Sequence, residues 1–114
     1  MSREVTRSRQ LPITEDNFTN AVISLAQYRR WLVCHFRAGR TAKGWRTPIQ
    51  GDKGFPDLVL VRDGRLILAE LKTATGKMRP DQERWHDVLT TVSGIEVYLW
   101  RPADLNETIP EVLR

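Results

Sequence analysis

The stretch 53-KGFPDLVLVRDGRLILAELK-72 decides the fold of this chain. Asp63-Gly64 stands between two runs of β-favouring apolar residues, and an Asp-Gly pair in that setting predicts a β-hairpin with a two-residue turn. A two-residue turn fixes the pairing of the strands. It makes Asp57 and Glu70 cross-strand neighbours at the open end of the hairpin.

Side chains alternate along a strand, so Lys72 is expected on the same face as Glu70. The opposite face carries Leu58, Leu60, Ile67, Ala69 and Leu71. Both faces are largely apolar, which is typical of central strands that are covered by helices. We therefore expect an α/β fold in which the hairpin forms the centre of a small mixed sheet flanked by helices.

Two carboxylates placed opposite each other repel, and partial burial raises the cost of charging each of them. A divalent cation between Asp57 and Glu70 removes this conflict, and oxygen ligands of this kind suit Mg²⁺ or Mn²⁺. In the alternative interpretation Lys72 merely neutralises Glu70, and Asp57 is a solvated residue at the end of a strand. Pairing geometry alone leaves both interpretations open.

Motif content favours the metal site. The segments GFPD at 54–57 and ELK at 70–72 resemble the PD-(D/E)XK nuclease signature. Together with Gly76-Lys77, Gln82 and the closing Trp-Arg-Pro at 100–102, the chain from about residue 14 to 105 resembles the VRR-NUC branch of that superfamily. The resemblance implies a restriction-endonuclease-like core in the order helix, strand, hairpin, helix, strand.

The resemblance also implies roles for individual residues. Asp57 and Glu70 would bind Mg²⁺ or Mn²⁺ with the backbone carbonyl of Leu71, and Lys72 would position the attacking water. A first-helix glutamate, here Glu15, would reach the metal, and Gln82 would support the site. Glu15 and Gln82 also allow a purely structural interpretation: a first-turn glutamate is favourable against the helix dipole, and Gln82 could be an ordinary exposed side chain.

The chain of 114 residues has the length of one domain, and we expect a nuclease-like domain over 13–114 after a mobile basic arm at 1–12. The net charge of +4 is uneven, since residues 1–54 carry ten Lys or Arg against four acids. The basic half is the expected phosphate-facing half. Cys34 is the single cysteine, which excludes an internal disulfide and a cysteine zinc site. No apolar run suggests a membrane span, so we expect a cytoplasmic protein.

Residues 37–54 are predicted to form a long, flexible basic loop next to the hairpin. Basic side chains interleaved with a tryptophan suggest a flap that grips phosphates and stacks on an unpaired base. A merely solvated insertion is the alternative. The residues expected to bind DNA are Arg37, Arg40, Lys43, Trp45, Arg46 and Lys53 in this loop, and Lys77 and Arg79 before the second helix.

The remaining periodicities predict the supporting elements. A first helix begins at the N-cap Thr14, and a first strand spans 31–36, in which Cys34 and His35 are packed residues without a catalytic role. A second helix runs from Pro80 to about Ser93, a last strand spans 95–100, and the tail contains one further short turn or helix. The expected apolar contacts are Phe18, Ala21, Val22, Leu25 and Tyr28 in the first helix, Trp85, Val88, Leu89 and Val92 in the second, and Ile109, Val112 and Leu113 in the tail, the last set for packing or for a partner subunit.

These features predict a metal-dependent endonuclease. The resemblance to stand-alone VRR-NUC proteins implies branched DNA as the substrate, such as a four-way (Holliday) junction, and a homodimer that nicks two symmetric strands. A flap or general DNA-nicking nuclease is one alternative. A non-catalytic nucleic-acid-binding module, in which the acids serve only the structure, is another.

Overall fold

The computed structural model describes residues 13–36, 39–41, 44–46 and 49–114, and of residues 39–41 and 44–46 it describes the backbone alone. The helices and strands follow the predicted order, with additions in the loop and the tail. In chain order they are α1 (Glu15–Tyr28), β1 (Leu32–His35), β2 (Gly39–Thr41), β3 (Gly44–Arg46), β4 (Leu58–Arg62), β5 (Arg65–Leu71), α2 (Pro80–Leu89), β6 (Glu96–Trp100), a 3₁₀ turn (Pro102–Leu105) and α3 (Thr108–Val112).

The hairpin of β4 and β5 lies at the centre of a four-stranded sheet in the order β1-β4-β5-β6. Strands β4 and β5 are antiparallel, with Arg62 opposite Arg65 and Leu58 opposite Ala69, which confirms the predicted register. Strand β6 runs parallel to β5, so the sheet is mixed. The predicted fold class, a small mixed sheet with a central hairpin and flanking helices, is confirmed.

The turn of the hairpin has the expected geometry. Asp63 has φ of 49° and Gly64 has φ of 78°, so both central residues adopt the left-handed conformation that a type I′ turn requires. This turn has the twist of the flanking strands, which is why the local sequence specifies the register.

The core lies between one face of the sheet and the two helices α1 and α3. Phe18, Val22 and Ala26 of α1 are fully buried against Leu58, Leu60, Ile67, Ala69 and Leu71 of the hairpin. The prediction that Tyr28 belongs to the buried stripe is wrong, because its side chain is 84% exposed. Tyr28 follows Ala26 by two residues, more than half a helical turn, and therefore points away from the sheet.

The end of α1 forms a Schellman motif. The N–H of Arg30 donates to the carbonyl of Gln27 (3.0 Å), and the N–H of Trp31 donates to the carbonyl of Ala26 (3.0 Å). Arg30 has φ of 68°, the left-handed conformation that glycine adopts most readily. The arginine thus occupies a glycine-type position and still terminates the helix.

The opposite face of the sheet is covered by α2 only in part. Helix α2 ends at Leu89, earlier than predicted, and Val88 and Val92 are 56% and 47% exposed, so their predicted burial is wrong. The β1 side of this face is open, where Leu32 is 75% exposed. Cys34 is also exposed, which corrects its prediction as a packed residue.

The loop predicted over 37–54 contains a small sheet of its own. Strands β2 and β3 pair antiparallel, with Gly39 opposite Arg46 and Thr41 opposite Gly44, so the prediction of a loop without regular structure is wrong here. The predicted DNA-binding residues Arg37 and Lys43 lie outside the described residues, as does the predicted arm at 1–12. Arg40, Trp45 and Arg46 are described by their backbone alone.

The tail packs on the core. Ile109 and Leu113 are fully buried, and the indole Nε1 of Trp31 donates to the carbonyl of Leu113 (3.0 Å). Of the two roles left open for these side chains, packing within the chain is the one observed. Among the described residues, no helix has both the length and the apolar character needed to cross a membrane.

Candidate functional site

Asp57 directly precedes β4, one position beyond the last hairpin pair, Leu58 and Ala69. Its Oδ2 accepts a hydrogen bond from the backbone N–H of Leu71 (2.9 Å), and its backbone carbonyl accepts one from the N–H of Phe36 (3.0 Å). The carboxylate of Asp57 is therefore held against the end of β5. Because the N–H and the carbonyl of a strand residue point to the same edge, the carbonyl of Leu71 also faces Asp57.

Glu70 is the most buried ionisable side chain of the site, with 3% of its surface exposed. Burial raises its pKa, and the nearby charge of Asp57 raises it further. The ammonium of Lys72, 3.5 Å from Oε2, acts in the opposite direction. The net result is a pKa of about 8, against an ordinary value of 4.5. The hairpin thus places an acid where it resists ionisation in the absence of a further cation.

Gln82 connects α2 to the carboxylates. Its Nε2 donates to Oε2 of Glu70 (2.9 Å), and its Oε1 accepts from the backbone N–H of Arg79 at the N-cap of the helix (2.9 Å). Hydrogen bonds hold both the oxygen and the nitrogen of the amide, and the side chain is only 7% exposed. Gln82 thus lies next to Glu70 and is not an ordinary exposed glutamine, while its supporting role in the site stays a prediction.

Gly54 allows α2 to approach the hairpin this closely. It has φ of 103°, and a Cβ at this position would lie 2.5 Å from the backbone oxygen of Asp81 in the first turn of α2. A side chain there would displace the helix that carries Gln82. The glycine of the GFPD segment therefore has a steric function in the site.

These groups line one cleft of about 930 Å³. All six residues predicted as catalytic or metal-binding border it, namely Glu15, Asp57, Glu70, Leu71, Lys72 and Gln82. Of the predicted DNA-binding residues, Lys53 and Arg79 also border the cleft, whereas Lys77 is exposed outside its lining. The guanidinium of Arg79 contacts the carboxylate of Asp81 (3.2 Å), so its charge is partly compensated.

Several side chains of the cleft were not predicted from the sequence as part of the site, among them His35 and three aromatic residues. His35 borders it as a half-buried residue, and Phe36, Phe55 and Trp85 line one side of it. Phe55 lies in the GFPD segment next to the predicted acid, so its neighbourhood could have been inferred. The positions of His35 and Phe36 depend on the pairing of β1 with β4, a long-range contact that no local pattern signals.

The donor set fits a hard divalent cation. Within the described part of the chain, no group of three or more His, Cys, Asp or Glu side chains forms a metal cage. Asp57, Glu70 and the Leu71 carbonyl are all oxygen donors, with Glu15 on the border of the same cleft. Mg²⁺ commonly takes one or two carboxylates and completes its shell with water and substrate phosphate. Burial and the charge of Asp57 raise the pKa of Glu70 despite the ammonium of Lys72, so a cation in the cleft would favour the ionised carboxylate.

Comparison with protein families identifies the domain. The model of the VRR-NUC domain matches residues 19–103. The chain belongs to the VRR-NUC family. A solved structure described as a VRR_NUC domain protein is similar to this chain, with a TM-score of 0.59 and 17% sequence identity over 90% of this chain and 87% of that one. Comparison with the sequences of curated proteins gives no match.

Membership of the VRR-NUC family confirms the resemblance inferred from the motifs. A VRR-NUC domain is a nuclease domain, so it implies nuclease activity in general and a DNA substrate. Nucleases of this kind typically depend on a metal ion, which agrees with the donor set of the cleft.

Proposed function

We propose that this VRR-NUC domain is a Mg²⁺- or Mn²⁺-dependent endonuclease that hydrolyses phosphodiester bonds of branched DNA, such as four-way junctions, as a homodimer. The observation that carries the catalytic part is the group formed by Asp57, Glu70 and Lys72 at the end of the hairpin. Two carboxyl groups and an ammonium converge there in a cleft, and Glu70 has a strongly raised pKa. Perturbed acids in a cleft are typical of catalytic sites.

Asp57, Glu70 and the carbonyl of Leu71 would hold the ion, and Glu15 is the further carboxylate that lines the cleft. The contacts of Lys72 and Gln82 with Glu70 both involve Oε2, and the contact of Leu71 with Asp57 involves Oδ2. The other oxygen of each carboxylate would be available to the ion. When bound, a divalent ion supplies Lewis acidity, which makes water nucleophilic near neutral pH and offsets phosphate charge.

Lys72 has two tasks in this mechanism. Its ammonium holds the attacking water by a hydrogen bond, and it stabilises the negative charge that develops on the phosphate in the transition state. Its position follows from the strand, since residues 70 and 72 share a face. Gln82 acts through Glu70, because its amide keeps the buried carboxylate from rotating. Gln82 is thus a positioning residue.

The choice of branched DNA rests on the resemblance to stand-alone VRR-NUC proteins. Symmetric nicking of a four-way junction requires two active sites, and hence two copies of the domain. The open β1 side of the sheet, with Leu32 and Val61 exposed, offers apolar surface for such a contact. A flap or nicking nuclease would use the same cleft without a second copy.

The test is a cleavage panel of duplex, flap, splayed and four-way DNA, each with Mg²⁺, Mn²⁺ or EDTA. We expect metal-dependent cutting that is fastest on the four-way junction and absent for Asp57→Asn, Glu70→Gln and Lys72→Ala. Asp63→Asn is the matched control, because it neutralises a carboxylate at the far end of the same hairpin, where Asp63 is exposed and its turn geometry suits asparagine. Retained cutting in the three site variants would contradict the catalytic assignment.

Titration calorimetry with Mn²⁺ separates the nuclease from a non-catalytic binding module. The nuclease should bind Mn²⁺ with an affinity that Glu70→Gln lowers at least tenfold. A module that uses its acids only for structure should bind no metal in the cleft. Sedimentation of the protein with and without a four-way junction tests the homodimer, and a strict monomer in both cases would favour the flap or nicking nuclease.

A further inference from the structure

Three aromatic rings form a continuous surface on one side of the cleft, which we call the aromatic ledge: Phe36, Phe55 and Trp85. The rings of Phe36 and Phe55 contact edge to face, with centroids 5.9 Å apart, and those of Phe55 and Trp85 do so at 5.1 Å. Contiguous, partly exposed apolar surface beside polar groups is typical of a ligand-binding site. The side chain of Phe36 is 43% exposed.

The ledge is attached rigidly to the carboxylates. The backbone N–H of Phe36 donates to the carbonyl of Asp57 (3.0 Å), and Phe55 lies two residues before Asp57. On the other side, the indole Nε1 of Trp85 donates to the carbonyl of Asp52 (3.2 Å). A ligand on the ledge would therefore have a fixed position relative to the acids.

Phe36 is the ring of the ledge with the most exposed surface, since Phe55 and Trp85 are half-buried. Each edge-to-face contact uses the face of only one ring. Two such contacts among three rings engage two of six ring faces, and Phe36 stands at the exposed end of the row. A ring face of this kind stacks on any planar heterocycle.

We propose that the aromatic ledge binds an unpaired nucleobase of the DNA strand whose phosphate lies at Asp57 and Glu70. This inference rests on the proposed function and specifies its substrate class: the site favours a nucleotide that is unstacked from its duplex, as at the branch point of a junction or flap. A base within an intact duplex presents no free face, whereas a base at a branch does.

The chemical groups of the cleft match the two parts of a nucleotide, since aromatic rings and cationic side chains lie there together. The ledge, Lys53, Lys72 and Arg79 border the same cleft as the carboxylates. One nucleotide combines a planar apolar base with an anionic phosphate, and this cleft combines an aromatic side with ammonium and guanidinium groups. A second protein chain would have to bury these charges next to the five acids that border the cleft, Glu15, Asp16, Asp52, Asp57 and Glu70, at a high desolvation cost.

The experiment measures binding without cleavage. Fluorescence anisotropy is recorded with labelled single-stranded and duplex oligonucleotides in Ca²⁺, over an interval in which a gel shows no cutting. Phe36→Leu removes the ring and keeps an apolar side chain, and Tyr28→Leu is the matched control because Tyr28 is an exposed aromatic residue on α1, away from the cleft. We expect Phe36→Leu to bind single strands about 5- to 100-fold more weakly than the wild type, and Tyr28→Leu to bind unchanged.

A scan with abasic sites tests the ledge on the wild-type protein, without dependence on a variant's folding. Removal of the base at one position of the oligonucleotide should weaken binding by the same factor, and in Phe36→Leu that sensitivity should disappear. Trp85→Phe should keep most of the single-strand affinity, and Trp85→Leu should lose it. A flat abasic scan, or wild-type affinity of Phe36→Leu for single strands, would overturn the inference.

Two further results separate this inference from its alternatives. Sedimentation of the wild type and Phe36→Leu tests a second copy of the chain as the occupant: a wild-type dimer that dissociates in Phe36→Leu would overturn base stacking. If the wild type cuts none of the DNA panel but binds more weakly when one base is removed, the proposed function fails and the base-binding role of the ledge stands. If the wild type cuts branched DNA but its binding does not depend on any single base, the proposed function stands and the base-binding role of the ledge fails.

Discussion

Substitution of Glu70 by glutamine should remove a large part of the pH dependence of the protein's stability. The pKa of Glu70 is about 8 in the folded protein, because the group is buried next to Asp57, against an ordinary value of 4.5. Between these two pH values the folded state binds a proton that the unfolded state has released. The free energy of unfolding in metal-free buffer must therefore fall as pH rises through this window, and level off above it.

The magnitude follows from the displacement of the pKa. Each pH unit is worth about 1.4 kcal/mol, so the loss is several kcal/mol and at most about 5 kcal/mol across the window. Glutamine is neutral at every pH and offers an oxygen to the amide of Gln82, so Glu70→Gln should lack this loss. At pH 8.5 the variant should be more stable than the wild type by a few kcal/mol, and near pH 4.5 the difference should vanish.

The assay is urea denaturation at pH 5, 6, 7, 8 and 9 in EDTA, followed by circular dichroism. Asp63→Asn is the control and should show the wild-type slope. Addition of Mg²⁺ at pH 8 should restore stability to the wild type, by about 2.7 kcal/mol at one hundred times the dissociation constant, but not to Glu70→Gln. Parallel stability curves for the wild type and Glu70→Gln in EDTA would refute the reasoning, since they would show that Glu70 ionises as easily in the fold as in the unfolded chain.

Two further substitutions test the backbone conformations that support the site. Gly54→Ala should lower the melting temperature and weaken Mn²⁺ binding, since its Cβ would lie 2.5 Å from the backbone oxygen of Asp81. Gly51→Ala is the control, because Gly51 also has a positive φ (100°) but a Cβ there would have no atom within 4 Å, so this substitution should cost only the backbone strain of about 1–2 kcal/mol. Equal losses of stability and of Mn²⁺ binding in calorimetry of the two variants would contradict the steric role of Gly54. Arg30→Gly should raise the free energy of unfolding by up to about 1 kcal/mol, because Arg30 has φ of 68° at the end of α1 and glycine adopts this conformation without strain. A lower free energy of unfolding in urea denaturation would contradict this and show that the side chain of Arg30 makes a stabilising contact.

The hairpin and its register could be predicted from the sequence because they depend on local chemistry. Asp63-Gly64 specifies the turn, the turn specifies the pairing, and the pairing brings Asp57 to the end of β5 beside Glu70 and Lys72. None of these steps requires knowledge of the rest of the chain. The start of α1 was predictable for the same reason, since the hydroxyl of Thr14 accepts from the N–H of Asn17 as an N-cap should.

The faces of the helices were predicted less well because burial depends on what lies opposite. Tyr28, Val88 and Val92 continue apolar patterns past the part of the sheet that can cover them, and all three are exposed. The pairing of β2 with β3 was hidden in a Gly-rich basic stretch without apolar alternation. The aromatic ledge joins Phe36 and Trp85 from distant parts of the chain, so it becomes visible only when β1 and α2 are in place.

The site combines two features that come from separate parts of the sequence: the acids of the hairpin and the amide that α2 brings to them. The hairpin creates an electrostatic conflict by bringing Asp57 and Glu70 together, and α2 restrains Glu70 by donating the side-chain amide of Gln82 to it. The helix can do this only because Gly54 has no side chain. Gly54 and Asp57 belong to one segment of four residues, so the segment that supplies one acid also sets the approach of the group that restrains the other. The proposed metal site would need such restraint, because with few protein ligands each misplaced oxygen removes a large share of the coordination.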